Sequence, residues 1–168
     1  GRLVFSTSAF TGQRRAAEMF TVPATGGLPT KVSIPYGANG TIRADGRMLA
    51  YTPNSRDNRN WKRYLGGTAT DVWLFDLQDK TSHRVTHWEG TDSFPMWHGD
   101  DLYFVSDRGS EQRLNVWKSD AQSGELSQIT RFTDFDVKWP AIGPGDKGQG
   151  EIVFQNNSGL FLLDLGSG

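Results

Sequence analysis

The residues best suited to recognition chemistry lie together between Pro53 and Thr70. Arg56, Arg59, Lys62 and Arg63 stand against a single acid, Asp57, so this segment carries +3 while the remainder of a chain of net charge −1 carries −4. Trp61 and Tyr64 sit among the basic residues, and Gly66-Gly67 follows them. Guanidinium and ammonium groups interleaved with aromatics can grip carboxylates or another protein surface. Arg59, Trp61, Lys62, Arg63 and Tyr64 are therefore the candidate peptide or domain interface. The simpler reading is a loop whose Trp61 packs over the edge of the fold while the charges stay in water.

Other patterns carry less chemistry. Gly143-Pro-Gly-Asp-Lys-Gly148 spells G-x-G-x-x-G, but a dinucleotide site needs a strand before it and a helix after it. Here a strand pattern follows at Ile152 and Pro144 interrupts the motif, so a turn is expected. His83 and His87 are four apart but fall on a strand end and turn, and His98 is distant, so no metal site is expected. No G-x-S-x-G elbow occurs. Ser106-Asp107 reads as a turn cap, because the acid is only a sequence neighbour and not a base held by a third group. Asp134-Phe-Asp136 reads as an exposed turn. Asn39-Gly-Thr41 and Asn156-Asn-Ser158 are acceptor sequons that matter only in a secreted glycoprotein. No catalytic residue and no cofactor are assigned.

The elements that position these residues follow from an internal repeat. Asp100-Asp-Leu-Tyr-Phe-Val-Ser106 aligns with Gly1–Thr7, Gly46–Thr52 and Gly150–Asn156, with starts spaced 45, 54 and 50 residues apart. Propeller blades recur at roughly 40 to 50 residues. Met19-Phe20, Val72-Trp73, Val116-Trp117 and Leu160-Phe161 share one repeat position in a following strand. Gln13–Phe20 has local helical preference, but the repeat register makes its end a strand. Fourth strands are expected at Pro29–Ser33, Ser82–Thr86 and Leu126–Thr130. First strands are expected at Gly40–Arg43, Phe94–Trp97 and Val137–Ile142. Gly, Asp, Asn and Ser clusters supply the turns between them.

This makes an all-β chain: an arc of about four blades of four-stranded antiparallel sheet, the first and last incomplete, with 3, 4, 4 and 3 strands. The units fall at about 1–37, 38–90, 91–134 and 135–168. Both flanks would then meet blades outside this chain. The expected core is Leu3, Phe5, Leu49, Tyr51, Val72, Leu102, Phe104, Val116, Ile129, Ile152 and Phe154.

Composition narrows the function classes. A net charge of −1 gives nucleic acid nothing to attract. The absence of cysteine excludes a disulfide framework and a thiolate metal site and fits the cytosol. No apolar run approaches the roughly 18 residues of a membrane span, and the N-terminus carries no signal-peptide pattern.

Asn60-Trp-Lys-Arg-Tyr-Leu-Gly-Gly-Thr-Ala-Thr-Asp-Val-Trp73 resembles a signature of the tricorn protease family, in its N-terminal six-bladed propeller. The likeness continues through Gly99–Asp107, Ile129–Asp134 and Leu160–Leu165, and back through the first unit. The resemblance implies a cytoplasmic parent, a serine peptidase that cuts oligopeptides and assembles as a hexamer. It also implies a second propeller, a PDZ domain and a catalytic domain elsewhere in the parent chain. On that reading this segment is a non-catalytic scaffold that gates or guides oligopeptides. A free-standing TolB-type propeller, serving as a protein–protein binding module, is the alternative.

Overall fold

In a computed structural model, residues 1–12, 16–55, 62–120 and 122–166 are described. Arg59 and Trp61 lie outside them. The chain forms four separate antiparallel sheets. The first holds β1 (Arg2–Thr7), β2 (Glu18–Pro23) and β3 (Thr30–Lys31). The second holds β4 (Ala38–Ile42), β5 (Met48–Thr52), β6 (Trp73–Asp76) and β7 (Ser82–Arg84). The third holds β8 (Asp92–His98), β9 (Asp101–Ser106), β10 (Asn115–Ser119) and β11 (Leu126–Gln128). The last holds β12 (Val137–Gly143), β13 (Glu151–Asn156) and β14 (Gly159–Asp164). Strands within each sheet follow one another in chain order, so every sheet is a meander of 3, 4, 4 or 3 strands.

The repeat register holds at the level of residue pairs in the first, third and fourth blades, while in the second the matching run starts at Arg47 and not at Gly46, because Tyr51 and not Ala50 takes the place of Phe104. Phe5 lies opposite Phe20, Tyr51 opposite Trp73, Phe104 opposite Trp117 and Phe154 opposite Phe161. A cross-strand aromatic pair thus recurs at one position in all four blades, and in the first and last the two rings stack, 5.7 Å between centroids in each, which reinforces the strand pairing. The backbone repeats as well. Val32, Val85 and Ile129 N–H groups donate to the carbonyls of Met19, Val72 and Val116. Gly37, Asp92 and Val137 N–H groups donate back to Ala17, Thr70 and Leu114 in the preceding blade.

Three apolar clusters fill the spaces between blades. Met19, Val32, Ile34, Leu49, Tyr51 and Phe75 join the first blade to the second. Ala50, Val72, Leu102 and Phe104 join the second to the third. Met96, Tyr103, Val105, Val116, Val137, Ile152 and Phe154 join the third to the fourth. Period-two alternation supplies both faces of each second strand. Tyr51, Phe104 and Phe154 face the preceding blade, while Ala50 and Tyr103 face the following one.

That rule explains where the expected core fails. Leu3 and Phe5 occupy the positions that face a preceding blade, which this chain does not supply, and they are 59% and 38% exposed. Val4, on the other face, packs against the second blade. Val153 faces a following blade and is likewise exposed at 42%. Ile129 lies beyond the end of the outer strand β11 and is also exposed. The other eight expected core residues are buried.

The Gly143–Gly148 stretch ends in a 3-10 turn at Asp146–Gly148, directly before β13. No helix among the described residues is long and apolar enough to cross a membrane.

Candidate functional site

Consecutive strands alternate in direction. The loops after β5 and β9 and the connections into β8 and β12 therefore emerge at the same end of the sheets. The inner strands β4, β8 and β12 stand side by side there. Each carries the same irregularity. Ala38 to Thr41 of β4 spans the same stretch as Thr52 to Ala50 of β5, an extra residue against its partner. Ser93 to Met96 and Lys138 to Ala141 repeat it in the next two blades. One residue in each bulge takes a positive φ: Asn39 at 50°, Phe94 at 51° and Trp139 at 53°. Asparagine tolerates this region, whereas aromatic residues occupy it at a cost. Bulges re-aim side chains, and strained backbone is kept where the surroundings hold it.

Phe94 and Trp139 meet edge to face, with ring centroids 6.0 Å apart and an interplanar angle of 78°. They line a cleft between the third and fourth blades together with Leu114, Val137, Lys138, Thr91 and Ser93. Sequence reading did not single out either ring. A signal was present: Pro95 and Pro140 each follow the ring inside a strand, where proline marks a bulge or an edge.

The repeat-breaking loop reaches this cleft. Lys62, Arg63 and Tyr64 all line it. Lys62 Nζ lies 3.1 Å from Asp136 Oδ2, and Arg63 Nε donates to the Gln112 carbonyl at 3.3 Å. Arg63 itself adopts φ 53°. Three of the five candidate interface residues are thus brought together at the mouth of the third and fourth blades, although their segment belongs to the second. The Tyr64 ring returns over the glycines, and a Cβ on Gly66 would fall 2.9 Å from its hydroxyl. The φ of 147° at Gly66 likewise favours glycine.

Asp134-Phe-Asp136 is not simply an exposed turn. Asp134 is exposed, but the Asp136 side chain is only 11% exposed and accepts from the Leu114 N–H as well as from Lys62. Ser106 and Asp107 do act as turn caps. Ser106 Oγ accepts from the Arg108 N–H and Nε, and Asp107 Oδ1 accepts from Trp88 Nε1 and the Thr91 N–H. The three histidines fall apart from any metal-binding cluster, and no group of three or more His, Cys, Asp or Glu could hold a metal ion among the described residues.

Beneath the mouth lies the most buried charge. Asp92 is fully buried and accepts from the Arg108 guanidinium at 2.5 Å. Arg108 is held between the rings of Phe104 and Trp117, 5.4 and 5.5 Å from their centroids. Burial pushes the Asp92 carboxyl up to about 6, against the opposing pull of Arg108. Asp71 and Asn115 occupy matching places one blade apart. Each uses its Oδ1 to accept a threonine hydroxyl and a backbone N–H, from Thr86 and Trp88 in one blade and from Thr130 and Phe132 in the next.

Radial meanders joined through interblade cores, with bulged inner strands around a loop-lined mouth, define a β-propeller arc. Over residues 1–168 the chain matches the tricorn protease N-terminal beta propeller domain, and it belongs to that family, as a non-catalytic module. Tricorn protease homolog 1 of Streptomyces coelicolor is 31% identical over 167 residues, 98% of this chain and 15% of that protein. The crystal structure of the tricorn protease superposes with a TM-score of 0.78 at 21% identity, over 98% of this chain and 15% of that one. The structure of a putative TolB from Agrobacterium tumefaciens superposes at 0.73 and 20% identity, over 99% of this chain and 58% of that one. These two likenesses show the fold. The chain spans 12% to 15% of the length of the curated relatives it matches.

Proposed function

We propose that this chain is a scaffold and guide for oligopeptides in a cytoplasmic, tricorn-like serine peptidase whose nucleophile lies elsewhere in the parent protein. Its partners are the further blades and domains of that parent, which assembles as a hexamer. The observation that carries the reading is the placement of Lys62 and Arg63. These two residues, from the segment that departs from the blade repeat in the second unit, reach across the third blade to the mouth between the third and fourth. A rigid blade frame presenting basic and aromatic side chains at an axial mouth can sort extended peptides by charge and size without chemistry of its own.

The test uses the full-length peptidase. Lys62→Ala with Arg63→Ala should raise KM for oligopeptides several-fold and leave kcat on a minimal chromogenic substrate within about twofold. The isolated chain should cleave neither peptides nor esters. Unchanged KM across a peptide-length series, or turnover by the isolated chain that survives repurification, would overturn the reading.

A further inference from the structure

We propose that Phe94 and Trp139 form a seat for one aromatic side chain of a passing peptide, and that Lys138 selects an acidic residue beside it. The inference rests on the peptide-guiding reading and names the side-chain class that the mouth prefers.

Three observations carry it. The first is the cleft itself, of about 90 Å³, walled by the edge-to-face pair and by Leu114 and Val137. Trp139 leaves 49% of its surface exposed there, an unusual waste of the residue that gains most from burial. A third ring entering the cleft would cover it.

The second is the backbone. Both rings are held at φ near 50°, in the bulge where the second blade carries Asn39. Asparagine suits that conformation far better than phenylalanine or tryptophan. Local stability alone would favour Asn or Gly at all three positions. Phe94 offsets part of that backbone cost by packing against the core between the third and fourth blades, whereas Trp139, half exposed, has no such return, which is the pattern of a residue kept for binding.

The third is charge. Two acids line the cleft, and both are engaged: Asp107 accepts from Trp88 and Thr91, and Asp136 from Lys62 and the Leu114 N–H. Lys138 lines the same cleft, is exposed, and makes no ion pair with a described residue. Charge complementarity thus calls for an occupant that brings a carboxylate as well as a ring. A peptide with adjacent aromatic and acidic side chains supplies both, and the ring can stack or meet edges as aromatic pairs do.

The experiment measures binding of unlabelled, end-blocked pentapeptides to this chain by isothermal titration calorimetry. Blocking both ends removes the terminal charges, so only side chains are read. Acetyl-Gly-Glu-Phe-Gly-Gly-amide should bind at least about tenfold more tightly than the same peptide with Ala for Phe, and several-fold more tightly than with Gln for Glu. Trp139→Asn and Phe94→Asn copy the second blade's own solution. Each should abolish the Phe preference, and Trp139→Asn should leave the midpoint of urea unfolding unchanged or higher, which separates loss of the seat from loss of the fold. Lys138→Gln should remove the Glu preference alone. Peptides that bind equally with or without the ring would overturn this inference and leave the guiding function standing. No binding of any peptide, blocked or free, would overturn both.

Discussion

Lys62 of the second blade and Asp136 at the entrance to the fourth form an ion pair of 3.1 Å that passes over the intervening blade. The pair is unequal: the Lys62 side chain is 61% exposed and that of Asp136 11%. Water screens the cation, and exposed pairs contribute about 0–1 kcal/mol. Asp136, however, also accepts from the Leu114 N–H. Lys62→Ala should therefore cost less than about 1 kcal/mol. Asp136→Ala strands that N–H and should cost about 1–3 kcal/mol. Urea unfolding of the two variants checks the order, and an equal loss would mean that the ion pair and not the backbone cap dominates.

Asp71 and Asn115 offer an internal control. Both accept from a threonine hydroxyl and a backbone N–H, and only Asp71 also pairs with an arginine, Arg84 Nη2 at 2.5 Å. Asp71→Asn keeps the acceptor that Asn115 proves sufficient, and forfeits only a partly exposed ion pair. Its expected cost is about 1 kcal/mol or less. Asp71→Ala leaves the Thr86 and Trp88 donors without their acceptor and should cost about 2–3 kcal/mol. Thermal or urea unfolding of both variants reads the difference directly.

Phe104 and Phe5 occupy one repeat position with opposite surroundings. Phe104 is fully buried against the second blade, and Phe5 is 38% exposed because no preceding blade covers it in this chain. Phe104→Ala should cost about 3–5 kcal/mol. Phe5→Ala should cost well under half of that, since it removes part of one contact with Phe20 and opens no enclosed cavity. Unfolding free energies of the two variants test whether interblade burial, and not the cross-strand ring pair, carries the stability of the repeat.

Much of this fold is written in the sequence because a blade is a local object. Hydrophobic alternation and turn residues define each meander, and the recurrence of Leu-x-Phe-like runs sets the register, which the pairing of Phe104 with Trp117 reproduces. Burial was less legible, because Leu3 and Phe5 look like core to any pattern and only the neighbouring sheet decides. The candidate site was half legible. Charge and aromatic content marked Lys62, Arg63 and Tyr64, while Phe94 and Trp139 looked like ordinary strand residues. The seat proposed for them depends on a bulge that one extra residue creates, and only the prolines after them hint at it.

Asp92 gives the sharpest solvent test. Its folded carboxyl titrates at about 6, above the ordinary 3.8, chiefly because it is buried. A raised acid binds its proton more tightly in the folded state, so folding favours the protonated form. The stabilising contribution is complete below about pH 4 and is lost as pH rises through about 6. Its size is on the order of 2–3 kcal/mol. Other carboxyls act in the opposite sense: Asp45, held down to about 2 by its bond from Arg43, and Asp76, held down by backbone donors and Arg47, both weaken the fold as pH falls. A single stability curve therefore mixes the two effects. Comparison with Asp92→Asn separates them, because that variant keeps Asp45 and Asp76 and removes only the titration at 92. Like the protonated carboxyl, the Asn amide gives Arg108 no counter-charge, so the variant stands in for the low-pH form of wild type. The readout is the unfolding free energy of wild type minus that of the variant, followed from pH 4 to pH 7. It should fall as pH rises, with its midpoint between about 4 and 6. A difference that stays flat, or that grows with pH, would mean that Arg108 holds Asp92 ionised throughout this range and that the ion pair, not burial, sets its charge.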